Sequence, residues 1–141
     1  MQSCLWAAAV ALAIAQPTAS RFAGTWTVAL DGKTYVRLEL VQTGAALTGR
    51  ISLGNIHVNA EGRVETVTEA PRVVAPIFDI ELRGDVLAFA RKDGNDTDRF
   101  EMRVMNGGAE LLFLPSAEDR EALAREGVPL PKPIRLTQVP R

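Results

Sequence analysis

The chain has 141 residues, enough for one domain of ordinary size. Its 47% hydrophobic and 23% charged composition excludes a disordered or fibrous chain. With 16 basic against 17 acidic side chains and a net charge of −1 it has no electrostatic footprint for nucleic acid or an anionic membrane surface.

Residues 5–15 (LWAAAVALAIA) form an uncharged apolar run of the length of a signal-peptide core, roughly 7 to 15 residues, and Ala13 and Ala15 place small side chains where a signal peptidase reads. Cleavage after Ala15 is expected, although Met1-Gln2-Ser3 lacks the usual positive charge. A buried first helix or a membrane anchor competes with this reading, but a spanning helix needs about 20 apolar residues. Cys4, the single cysteine, precedes the apolar run, whereas a lipid-modified cysteine follows it. It leaves with the leader, so the mature chain has no disulfide and no thiolate for catalysis or metal. The expected organisation is a signal peptide over 1–15 and one domain over 16–141, periplasmic or secreted, with no membrane span.

From Phe22 onward the hydrophobic period is close to two, as in strands with one face on a core. Strands are predicted at 24–30, 34–42, 47–53, 55–60, 77–83, 86–91, 99–105 and 109–114. In 34–42, Val36, Leu38 and Leu40 alternate with Arg37 and Glu39; in 77–83, Phe78, Ile80 and Leu82 alternate with Asp79, Glu81 and Arg83. Asp31-Gly32, Thr43-Gly44, Glu61-Gly62, Gly84-Asp85 and Asn106-Gly107-Gly108 supply the residues of tight turns, too short for parallel crossovers. Pro71 and Pro76 confine residues 63–76 to an edge or loop. Residues 116–126 form the one predicted helix, capped by Ser116 with Asp119 completing a capping box and ended by Gly127. Alternate prolines make 128–133 non-helical, and 134–139 can add a last strand. A mainly all-β fold follows: an antiparallel up-and-down meander barrel of about 8–10 strands with one short C-terminal helix. A two-sheet β-sandwich is the alternative.

Gly24-Thr25-Trp26-Thr27-Val28, with Leu38-Glu39-Leu40-Val41-Gln42-Thr43-Gly44 and Leu47-Thr48-Gly49 after it, resembles the opening of calycin-type barrels, the lipocalins and avidins. The resemblance covers about the first quarter of the chain. It implies an up-and-down barrel whose Trp26 indole closes the floor, and a small apolar ligand. It does not imply biotin, because Trp26 is the only tryptophan beyond the leader and the polar biotin contacts have no matching motif.

Candidate chemistry is sparse. His57, the only histidine, alternates with Ile56 and Val58 and belongs on a polar face; with no second histidine or mature cysteine it has no zinc-site partners. Residues 93–98 (DGNDTD) concentrate oxygen donors that suit Ca²⁺, yet lack the glycine and terminal glutamate placement of an EF-hand loop, and a polar hairpin accounts for them. Asp79 and Glu81 share a strand face and would serve acid–base work only in a cleft. No nucleophile elbow, phosphate loop or dinucleotide fingerprint occurs, and no cofactor is expected. Trp26, Tyr35 and Leu123 are the candidate ligand-binding residues, Leu123 as the one large apolar side chain of a helix expected to cover a barrel end with Val128 and Leu130. The expected function is an exported binding module for an apolar small molecule or a partner protein. The alternatives are a secreted protease inhibitor using an edge or the 128–133 segment, and a small hydrolase or isomerase using Asp79, Glu81 or His57.

Overall fold

The computed structural model of the protein describes residues 19–72 and 74–141; the expected leader over 1–15 lies outside them. A 3-10 turn, Ala19–Arg21, leads into β1 (Gly24–Leu30), β2 (Lys33–Thr43) and β3 (Ala46–Leu53). The short strands β4 (Ile56–Val58) and β5 (Val64–Val67) pair only with each other. There follow β6 (Ala75–Arg83), β7 (Val86–Asp93), β8 (Asp96–Met105), β9 (Gly108–Leu114), the helix α1 (Ala117–Glu126) and β10 (Ile134–Gln138).

Eight strands close in the order β1-β10-β9-β8-β7-β6-β3-β2, each antiparallel to its neighbours. The architecture is thus the expected up-and-down barrel and not the sandwich. Closure follows from β1 pairing with both β2 and β10, which removes the free edges that two packed sheets would keep. The strand expected at 55–60 is β4, and it forms with β5 a hairpin outside this cycle, inserted between β3 and β6 ahead of Pro71 and Pro76, where periodicity alone showed no strand beyond residue 60.

The interior is built from in-register rows. Trp26 faces Leu38 and Leu38 faces Ile51 across β1, β2 and β3. Leu87, Met102, Leu111 and Ile134 form a second row across β7 to β10, and Phe89, Phe100 and Phe113 a third. Ring centroids in that third row are 5.3 Å apart for Phe89–Phe100 and 5.6 Å for Phe100–Phe113, aromatic packing distances that add to simple burial.

Two bulges break strict alternation in the barrel, and a third lies in the β4–β5 hairpin. Val28 pairs with Val36 but Ala29 pairs with Thr34, so Tyr35 is an extra residue on β2. On β6, Phe78 pairs with Ala90 and Glu81 with Ala88, so Asp79 and Ile80 together oppose Phe89, with Asp79 at φ 50°. The bulge splits the apolar face expected from Phe78, Ile80 and Leu82. Ile77 takes the buried place and Phe78 turns to the outer face, its ring 5.8 Å from the Lys92 Nζ.

Helix α1 has its expected cap residues, Ser116 and Gly127. The Asp119 N–H donates to Ser116 Oγ at 3.1 Å, and the Gly127 and Val128 N–H groups donate to the Ala124 and Leu123 carbonyls at 3.2 and 2.9 Å, a Schellman motif. None of its residues is buried. No described helix is long and apolar enough to cross a membrane.

Candidate functional site

Both long connections, 54–74 and 115–133, leave the barrel at the end where β3, β7 and β9 finish and β2, β8 and β10 begin. A cavity of about 320 Å³ opens at this mouth, toward the small end of the range for small-molecule sites, about 300–1,000 Å³. Its wall is mainly apolar, with Leu53, Ile56, Val58, Phe100, Phe113 and Ile134 around it and Pro131 reaching in from the Pro-rich segment. Tyr35, Asn55, Arg91 and Asp98 are its polar members. Deeper in, the fully buried Leu38, Leu87 and Met102 fill the barrel.

The β2 bulge explains how Tyr35 gets there. Alternation would send consecutive residues to opposite faces, yet Tyr35 and Val36 are both buried and both line the cavity, because the extra residue re-aims the side chain. The backbone around Tyr35 is clamped from outside. Gly54 N–H donates to the Tyr35 carbonyl at 2.7 Å, Thr68 N–H to Asn55 at 2.8 Å, and Ala70 N–H to Thr34 at 2.9 Å. Gly54 is required for this overlay, since a Cβ there would fall on the Thr68 carbonyl. Burial pushes the Tyr35 phenol above its ordinary pKa.

Arg91 and Asp98 are cross-strand partners on β7 and β8, and continue the inward set of Phe89 and Phe100 by one pleat. Arg91 Nε donates to Asp98 Oδ2 at 3.1 Å with side chains only 16% and 20% exposed, and Arg91 Nη2 lies 3.9 Å from Asp93 Oδ2. An inward-facing ion pair at the rim of an apolar cavity is the polar handle such sites use to orient a ligand.

Of the three candidate ligand-binding residues, Tyr35 alone belongs to this cavity. Trp26 is buried below it, its Nε1–H donating to the Phe22 carbonyl at 2.9 Å toward the end where the 3-10 turn sits. Leu123 is half-buried on α1 and outside the cavity wall; Val128 is half-buried and Leu130 is 52% exposed, while Pro131 is the member of that segment that reaches the mouth. His57 is exposed on β4 opposite Thr66. Asp79 and Glu81 are on the outer surface beside a shallow depression that does not include His57, with Arg99 Nη2 3.6 Å from Asp79 and Arg83 Nε 3.4 Å from Glu81. In the 93–98 segment, Asp93 pairs with Asp96 across a Gly94-Asn95 turn and the Asp98 carboxylate is taken by Arg91. Among the described residues no group of three or more His, Cys, Asp or Glu is arranged to hold a metal ion.

Arg91, Phe100 and Phe113 are site residues the sequence reading passed over, and Asp98 entered it only as an oxygen donor of the 93–98 loop. A signal was present: Arg91 follows Leu87 and Phe89 at period two, and Asp98 precedes Phe100 and Met102 at period two, so each charge continues an inward row. A larger depression of about 660 Å³ lies beside Gly24, Gln42, Val139 and Pro140; its part-buried polar member, Glu39, is already taken by Arg37 and Arg50. Compared with protein-family models, with curated proteins and with solved structures, the chain finds no match in any of the three.

Proposed function

We propose that the protein is a small-molecule-binding barrel that holds an apolar ligand at its mouth. The observation that carries this is the cavity of about 320 Å³ whose largely apolar wall converges on Tyr35 and the Arg91–Asp98 pair. The closed barrel, with the G-x-W tryptophan of β1 buried toward the opposite end, supports grouping it with the calycin-type barrels. An exported protein, periplasmic or secreted, fits the apolar run over residues 5–15.

The test is a methyl-resolved NMR titration of the purified chain with toluene. The expected result is saturable shifts of the Leu53, Ile56 and Ile134 methyls, lost when Leu53→Trp fills the cavity. Absence of shifts in the parent protein, or shifts only at exterior methyls such as Val41 and Val139, overturns the proposal.

A second reading, a protein partner such as a protease docked on the Pro-rich segment, is favoured by one observation: Leu130, between two prolines, is 52% exposed. Inhibition of a secreted protease that Leu130→Asp abolishes would support it.

A further inference from the structure

We infer that the mouth pocket selects an uncharged, ring-sized apolar molecule carrying one hydrogen-bonding oxygen, with that oxygen placed against the Tyr35 hydroxyl. The inference rests on the pocket reading above and names the ligand class of the same site. Its first support is Tyr35 itself. The residue is only 5% exposed and lines the cavity, yet among the described residues no protein group hydrogen-bonds its hydroxyl, and burial is the sole influence on its ionisation. The hydroxyl is also not a sealed, orphaned atom, since no buried side-chain oxygen or nitrogen is left without a partner. It therefore keeps contact with solvent, and with Tyr35 in the cavity wall a ligand oxygen can satisfy it in place of water.

The second support is the charge balance at the rim. Arg91 already faces Asp98 at 3.1 Å and Asp93 at 3.9 Å. A carboxylate ligand would have to compete with two protein carboxylates for one guanidinium, and a cation would find the one part-buried carboxylate, Asp98, already neutralised by Arg91, with Asp93 71% exposed to solvent. Either ion would also lose hydration against an apolar wall, a cost that only full pairing offsets. A neutral oxygen avoids both penalties and takes the hydrogen bond Tyr35 offers. Phe100 and Phe113, 5.6 Å apart and tilted, supply the faces and edges on which a ring packs.

Four probes of one shape decide it on the whole chain: toluene, p-cresol, p-toluate and 4-methylbenzylammonium, titrated at neutral pH with the same methyl resonances as readout. p-Cresol is expected to bind about three- to tenfold more tightly than toluene, the return on one hydrogen bond, and both ions more weakly than toluene. Tyr35→Phe should erase the p-cresol preference and leave toluene affinity unchanged; if that variant does not fold, the ranking of the four probes on the parent protein decides alone. Toluene and p-cresol binding equally, or an ion binding tightest, overturns the inference while leaving the pocket standing. Failure of all four, toluene included, overturns the pocket reading instead.

Discussion

The backbone N–H of Lys132 donates to the carbonyl of Gly62 at 3.1 Å, tying the Pro-rich approach to β10 to the turn of the β4–β5 hairpin. These are the two long connections of the barrel, and they meet beside the mouth cavity that Pro131, Ile56 and Val58 help to wall. The hairpin turn is itself braced, because Asn59 Oδ1 accepts from both the Glu61 and Arg63 N–H groups at 3.0 Å. What covers the pocket is thus the hairpin and the Pro-rich segment latched to each other, and not helix α1.

Gly62→Ala should break that latch. Gly62 has φ +81°, and a Cβ there would stand 2.6 Å from the Leu130 carbonyl oxygen. Left-handed backbone and a backbone clash together should cost about 1–3 kcal/mol, read as a lower urea midpoint with unchanged slope. Amide exchange at Lys132 should accelerate in the same variant. Unchanged stability and exchange would show that the two connections are independent.

Trp26→Phe removes the indole N–H that satisfies the Phe22 carbonyl inside the barrel, where the indole is 2% exposed. Leaving that carbonyl without its donor, and the space of half an indole unfilled, should cost about 1–3 kcal/mol. Because Trp26 is absent from the cavity wall, toluene binding should leave its Nε1–H resonance in place. A shift there comparable to those of Ile56 and Ile134 would move the ligand deep into the barrel.

Glu39 accepts from Arg37 Nε at 3.0 Å and from Arg50 Nη2 at 2.7 Å, and these guanidiniums, Arg37 first, hold its carboxyl below the ordinary value. A folded-state pKa below the unfolded one means that the unfolded chain binds the proton first as pH falls. The stabilisation is therefore complete above the ordinary glutamate value, about 4.3, and is lost as pH drops through the lower folded value. Both arginines are solvent-exposed, so the pair should contribute less than about 1 kcal/mol. Glu39→Gln should be slightly less stable than the parent at pH 7, with the difference shrinking as the pH falls below the ordinary glutamate value, measured by thermal or urea unfolding. A difference that persists in acid would assign the effect to packing.

Legibility followed alternation. β1 is fully readable, because Trp26 and Val28 are flanked by polar or small residues and the turn at Asp31-Gly32 stops the strand on the expected residue. Period-two reasoning fails where a bulge inserts a residue. Asp79 at φ 50° moves Phe78 to the outer wall and Ile77 to the inner one, and Tyr35 is turned inward by the same device on β2. Nothing in the composition of these segments marks either insertion, since asparagine, aspartate and glycine also serve ordinary turns. The site suffered for a second reason. Charged residues were assigned to water, although Arg91 and Asp98 compensate each other inside the mouth, an arrangement visible only once the strands are paired. Closure also depended on a distant partner: β10 meets β1 across more than 100 residues, with Trp26 opposite Gln138, and no local pattern specifies that.

Two leucines in the C-terminal segment separate what is structural there from what is not. The sequence suggests a helix pressed on the barrel by Leu123, with the whole segment after Pro115 acting as a lid or plug. The fold divides that segment differently. Leu123 is half-buried on a helix with no buried residue, whereas Leu136, beyond the prolines, is fully buried opposite Ala109 in the strand that closes the barrel. Removing everything after Pro115 would therefore open the barrel, so it cannot report on the helix. Point substitutions can. Leu136→Ala should cost about 2–5 kcal/mol, because a buried leucine loses its transfer free energy and leaves a cavity. Leu123→Ala should cost less, about 1–2 kcal/mol, since the side chain is only half-buried and its removal leaves no enclosed cavity. α1, capped by Ser116 and closed by Gly127 but too short to be stable by itself, should show fast amide exchange while β10 exchanges only on global unfolding. Equal losses for the two leucines would mean that α1 is docked on the barrel in solution, and the latch at Lys132 would then be one part of a larger cover.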